Sequence, residues 1–243
     1  MSPRGAQPAA SPAAEVALLV AIGLTLGLYL IPAPWGSRLA WPLLMLSTCA
    51  HEMCHGLAAL VVGGQFESFR LWPDGSGIAS TADSGKPIEN AFIAAGGLLG
   101  PAVFAAGMFV AASRPRLARY GLGAFGLALL ASELLVVRGG FGLVYVGAAG
   151  ALLLALAVRL SPAWARIVVL FMGAQLSLAV FSRADYLFTK VARTAGGDEP
   201  SDVEVIAQAL GLPYYFWGLV CGGLSLAVLA AGAWVFRRAT RER

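Results

Sequence analysis

The sequence predicts an all-α polytopic membrane protein of about seven transmembrane helices, with a small β-hairpin between the second and the third. Three observations carry that prediction. Apolar residues make up 58% of the 243-residue chain and charged residues only 12%, about half the charged share usual in soluble domains. The apolar residues fall in runs close to the roughly 20 residues that span a bilayer. Between these runs no polar stretch is long enough for a separate soluble domain.

The elements follow in order. Residues 1–15, rich in Ala, Pro and Ser, are expected to be a flexible N-terminus. Residues 16–236 are expected to form one membrane domain, with spans near 16–33, 40–62, 91–112, 120–137, 139–158, 164–182 and 214–236. The first run continues to Pro32, too long for a signal-peptide core, so it is read as retained. After the second span, Gln65 to Trp72 is β-prone and leads into Pro73-Asp74-Gly75-Ser76-Gly77. With Ile78 to Ala82 as the returning strand, this predicts a hairpin within 64–84. The polar segment 183–212 contains Ser201-Asp202-Val203-Glu204, an N-cap with an acidic first turn, which predicts a short helix ending near Gly211. Residues 237–243 are read as a basic C-terminal tail.

The formal charge is +4, but the basic residues are scattered between apolar segments and form no stripe, which argues against nucleic acid as a partner. They read as topology determinants. Arg38, Arg114, Arg116, Arg119, Arg159, Arg166 and the terminal arginines sort to one side, and most acidic residues to the other. The positive-inside rule puts the first side in the cytoplasm, with the N-terminus outside and the C-terminus inside. Trp41, Trp72, Trp217 and Trp234 fall near span ends, as an interfacial belt would have them. Cys49, Cys54 and Cys221 lie within apolar runs and offer neither a disulfide framework nor a CxxC clamp.

The chemistry is concentrated in His51-Glu52-Met53-Cys54-His55. Two histidines four positions apart share one helix face and can hold a single metal ion, with Glu52 beside it to take a proton from water. They are the only histidines in the chain, and ionisable groups in the middle of a span are costly and mark function. A catalytic zinc takes three protein ligands and keeps one open position. The third ligand is expected to be Asp185, an acid at an apolar helix end, with Asp202 as the alternative. Cys54 is read as a small core residue. Glu133 is a lone acid within the fourth span. Gly96, Gly97 and Gly100 give the third span a face that lets helices approach closely.

These features resemble the site-2-protease-like intramembrane zinc metalloproteases, in their small bacterial membrane-only branch. The resemblance rests on Ala50-His51-Glu52-Met53-Cys54-His55-Gly56, Gly63-Gly64, the hairpin turn, and Gly96-Gly97-Leu98-Leu99-Gly100-Pro101. Gly139 to Tyr145, Asp185-Tyr186-Leu187-Phe188, Ser201-Asp202-Val203, Gly211-Leu212-Pro213 and Trp217-Gly218 extend it over most of the chain. It implies proteolysis in or beside a bacterial inner membrane. One zinc ion would be held by His51 and His55, with Glu52 as general base and an aspartate from a later helix as third ligand. The Asn-Pro and Leu-Asp-Gly setting of that aspartate in relatives is absent here. The asparagine that often follows the Gly-Pro in relatives has no counterpart at Phe104.

The substrate implied is a membrane protein or transmembrane peptide held extended, because a helical peptide keeps its carbonyls in hydrogen bonds. A hairpin edge supplies that by strand addition, which makes Phe66, Ser68, Arg70 and Trp72, or the strand Ile78 to Ala82, candidate substrate-binding residues. Two other readings account for a metal-binding polytopic chain: a cation transporter, or an inactive scaffold. A transporter needs polar groups along a path through several helices. A scaffold has no use for Glu52.

Overall fold

The architecture is that of a computed structural model, which describes residues 12–82, 85–182 and 187–241. Among these residues the order is α1 (Pro12–Leu30), α2 (Trp35–Val61), β1 (Gln65–Leu71), β2 (Gly77–Ala82), α3 (Pro87–Ala112) and α4 (Pro115–Leu135). There follow β3 (Val137–Arg138), α5 (Gly140–Arg159), α6 (Pro162–Ser182), β4 (Val191–Thr194), β5 (Gly197–Pro200), α7 (Asp202–Leu210) and α8 (Tyr214–Arg241). Proline opens α3 and α4, where its missing N–H costs no hydrogen bond and its fixed φ suits the first turn.

By length and composition, α2, α3, α5 and α8 are each able to cross a membrane. Large apolar side chains such as Leu19, Val144, Leu152 and Leu219 stand exposed on the outer faces of the helices. A contiguous apolar exterior of this kind has lipid as its solvent, and the chain is an integral membrane protein.

The helix bundle has two distinct ends. At one end Arg166 donates to the Ser113 carbonyl at the end of α3, and Arg119 donates to the Ala157 and Val158 carbonyls at the end of α5. These guanidinium groups satisfy carbonyls that a helix C-terminus leaves without partners. Helix α8 runs in the same direction as α3, with Cys221 packed near Leu98 and Gly232 against Ala106, so its C-terminal arginines belong to this basic end. The expected tail from residue 237 is helical as far as Arg241, since α8 continues through it.

The opposite end holds the sheets. Strand β1 pairs antiparallel with β2 and parallel with β3, in the order β2-β1-β3, with an irregularity between Phe66 and Ser68. The hairpin folds back along α2 rather than projecting from it. Trp41 Nε1 donates to the Pro73 carbonyl at 2.8 Å, and Thr48 Oγ1 to the Gly75 carbonyl at 2.8 Å. Gly75 has φ +96°, a conformation that favours glycine in the turn. Trp41 also packs on Phe141 and Tyr145, so it serves this junction as well as any interfacial role. The segment expected to be a polar loop before a short helix contains a second hairpin, β4 and β5, joined by the two-residue turn Ala195-Gly196.

The Thr48 hydroxyl is buried with its acceptor. Thr48→Val leaves the Gly75 carbonyl without that donor, a loss of about 1–3 kcal/mol. Thermal unfolding of the variant in detergent should show a midpoint several degrees lower; an unchanged midpoint would mean that the hairpin is held elsewhere.

Candidate metal centre

Helix α2 carries both histidines on one face, one turn apart. His55 Nδ1 lies 2.9 Å from the Ile93 carbonyl of α3. A carbonyl can only accept, so Nδ1 carries the proton and Nε2 of the neutral ring presents a lone pair. Helices α2 and α3 reach this separation because α3 lacks side chains where they meet. A Cβ at Gly97 would stand 2.1 Å from His55 Nε2, one at Gly96 2.6 Å from the Ala58 Cβ, and one at Gly100 2.4 Å from the Cys54 Cβ. The glycine face therefore positions a functional imidazole as well as packing two helices.

Asp202 arrives from α7. Ser201 caps that helix, its hydroxyl accepting from Glu204 N–H and donating to the Thr189 carbonyl. Asp202, Val203 and Ile206 form the buried face of α7, and Val203 and Ile206 pack with Ala91, Ala94 and Leu98 of α3 and Cys221 of α8. This packing delivers the Asp202 carboxylate to the two imidazoles. Burial would push its carboxyl up, but the facing histidines hold it well below the usual carboxylate range. It is an anion suited to bind a cation.

The three groups converge on one point. His51 Nε2 and His55 Nε2 are 3.1 Å apart, His51 Nε2 is 3.1 Å from Asp202 Oδ2, and His55 Nε2 is 3.3 Å from Asp202 Oδ1. Tetrahedral ligands at about 2.0–2.1 Å from a zinc ion are roughly 3.3–3.4 Å from one another. Asp202 Oδ2 is buried and, despite its nearness to His51, makes no hydrogen bond of acceptable geometry. Two nitrogens and a carboxylate with an unsatisfied oxygen are the donor set of a zinc site, and they fit the ion. Among the described residues these three form the group able to hold a metal.

Glu52 is not one of that group. It is 7% exposed and lines both cavities beside the cluster, of about 680 and 220 Å³. Gly77 at the start of β2 lies against it, where a Cβ would be 2.9 Å from Glu52 Cγ and 2.8 Å from Thr48 Cγ2. The other residues singled out in the sequence fall elsewhere. Asp185 lies outside the described residues. Phe66 rests on Gly56, Ser68 faces Ser80 across the hairpin, Arg70 is paired between Ile78 and Arg138, and Trp72 packs near Gly196. None of these four lines either cavity. Glu133 lies on Gly147 of α5.

Sequence reasoning missed the Ile93 carbonyl, which is invisible as a backbone atom, and the second role of Gly97. Gly97→Ala should displace His55 and weaken zinc binding by about 10- to 100-fold, the usual cost of disturbing groups that orient a ligand. Competition with a fluorescent chelator would measure this; wild-type affinity in the variant would show that His55 does not need the gap.

A family model described as Peptidase M50B-like matches residues 16–232. No curated protein and no solved structure matches the chain.

Proposed function

Since the chain belongs to the Peptidase M50B-like family, a site-2-protease family, we propose that it is an intramembrane zinc metalloprotease. Its substrates would be membrane-embedded or membrane-proximal proteins. The observation that carries the proposal is the buried cluster of His51, His55 and Asp202 with Glu52 beside it. In this reading those three residues hold one zinc ion per chain, Asp202 taking the place for which Asp185 was the first expectation. When bound, zinc supplies a Lewis acid that lowers the pKa of water towards neutrality and polarises a peptide carbonyl. Glu52 takes the proton of the attacking water and returns it to the departing amine. The Ile93 carbonyl fixes the tautomer of the neutral His55 ring, so that Nε2 is the nitrogen offered to the metal.

The substrate has to be extended where it is cut. Strand β1 is hydrogen-bonded on both sides near Phe69, whose N–H donates to the Val136 carbonyl at 2.8 Å. Strand β2 has β1 as its one strand partner among the described residues. The substrate strand therefore belongs on β2, from Ile78 to Ala82, by strand addition. Phe66, Ser68, Arg70 and Trp72 support it from behind. In this reading all seven long helices cross the membrane: α1, α4 and α6, at 19, 21 and 21 residues, have about the 20 residues that a span needs. In this reading the basic end faces the cytoplasm, as the positive-inside rule favours, and the site lies towards the outer side of a bacterial inner membrane.

Purified protein in detergent, supplied with zinc and a panel of transmembrane peptides, tests the central claim. Glu52→Gln should keep its zinc and lose cleavage by about 10²- to 10⁴-fold, the usual worth of a general base. Asp202→Asn should lose zinc while Asp185→Asn keeps it; the reverse result would move the third ligand to Asp185. Folded wild-type protein that takes up no zinc would end the metalloenzyme reading.

Strand addition has its own signature. Proline placed singly at positions 78, 79, 80 and 81 removes one N–H each time. Only the positions that point away from β1 should lose cleavage without a fall in thermal stability. Cleavage unaffected at all four positions would exclude β2 as the docking edge.

A further inference from the structure

The two cavities beside the metal centre adjoin along a shared stretch of wall, the waist. His51, Glu52, Gly77, Ala192 and Thr194 line both of them. On one side of the waist stands β2, through Gly77. On the other stands β4, whose Ala192 and Thr194 line both cavities, while Val191 and Arg193, the more exposed positions of the strand, line only the wide one. Everything facing the waist from either hairpin is small. A peptide passing from one cavity to the other would cross the waist beside Glu52.

The second hairpin is fixed at both ends. At its base the Ser201 N–H donates to the Lys190 carbonyl and the Ser201 hydroxyl to that of Thr189, directly before Asp202. At its tip the Ala195 N–H donates to Ser76 Oγ of the first hairpin at 3.1 Å, and Gly196 lies under the Trp72 ring. The distance between the two hairpins is thereby set by hydrogen bonds rather than left to the substrate.

We infer that β4 is the far wall of the substrate passage and that Ala192 sets the size of the side chain accepted next to the cleaved bond. This rests on the protease reading above and extends it to substrate selection. The narrow cavity, of about 220 Å³, has all three proposed ligands in its wall, and the wide one, of about 680 Å³, adjoins it at His51 and Glu52. A substrate with a bulky residue on one side of the bond and a small one on the other fits this pair.

Binding of peptide hydroxamates to the zinc-loaded protein tests this without turnover. The hydroxamates carry Gly, Ala, Leu or Phe beside the zinc-binding group, and zinc content is measured for every variant. Ala192→Leu should weaken the Leu and Phe compounds relative to the Gly compound by about tenfold or more, as misplaced methylenes do in a fitted site. Ala192→Gly should bind the Leu and Phe compounds at least as tightly as wild type, and Asp198→Ala, which lines neither cavity, should leave the order unchanged. The same affinity order in wild type and both Ala192 variants would overturn the inference. So would a zinc-loaded wild type that binds none of the compounds. Graded binding without cleavage of any membrane peptide would count against the protease reading alone.

Discussion

Two imidazole nitrogens 3.1 Å apart, each 3.1–3.3 Å from one oxygen of a buried carboxylate, require three elements of the fold to meet at one place, and that requirement shapes the backbone around them. Helix α3 must come so near α2 that no Cβ fits at Gly96, Gly97 or Gly100. Small residues that let helices approach are common in membranes because lipid provides no hydrophobic drive for association. Here the same device places the Ile93 carbonyl on His55 and so selects the ring nitrogen that faces the metal site. Helix packing and ligand protonation are consequences of one close approach.

The third group depends on a different kind of constraint. Asp202 is the first residue of α7, where the N-terminal end of the helix favours a negative charge. The helix is too short to be stable alone and gains its place by burying Val203 and Ile206 against α3 and α8. Its start is tied to the base of the β4–β5 hairpin through Ser201, and the hairpin tip is tied to the first hairpin through Ser76. A shift in either hairpin is thus felt at Asp202. The site is a junction of α2, α3 and α7, roofed by two hairpins whose small residues leave room for a peptide backbone.

This arrangement explains which parts were legible in the sequence. His51, Glu52 and His55 sit on one helix with a spacing that encodes their geometry, so the pair and its neighbouring acid could be read locally. The proposed third ligand could not, because Asp185 and Asp202 are both acids after the sixth apolar run, and it is the packing of α7 that brings Asp202 to the histidines. The first hairpin was announced by Pro73-Asp74-Gly75-Ser76-Gly77, a run of turn residues between β-prone segments. The second was not: Val191 to Thr194 is short and half polar, and its turn, Ala195-Gly196, reads equally well as part of a loop. That strand β1 is central rather than an edge followed from the two residues Val137 and Arg138, too few to register as a strand in any periodicity.

The polar groups away from the site bear on the choice between hydrolysis and transport. A carrier lines its route with groups free to exchange partners with the ion. Gln175, the polar residue in the middle of α6, donates to Thr25 of α1 at 3.3 Å, with both side chains buried. Glu133 lies between α4 and α5 on Gly147. Neither residue lines the cavities at the metal centre, so neither extends a path from it through the bundle. The cavities instead open beside two sheet edges and an acid, Glu52, that stands next to the proposed ligands without joining them. An ion in transit needs a continuous row of ligands and no general base. A peptide bond under attack needs an immobile ion, a base beside it and a strand to hold the chain extended, and this end of the molecule gathers three groups able to hold a metal, an acid beside them and the edge strand β2.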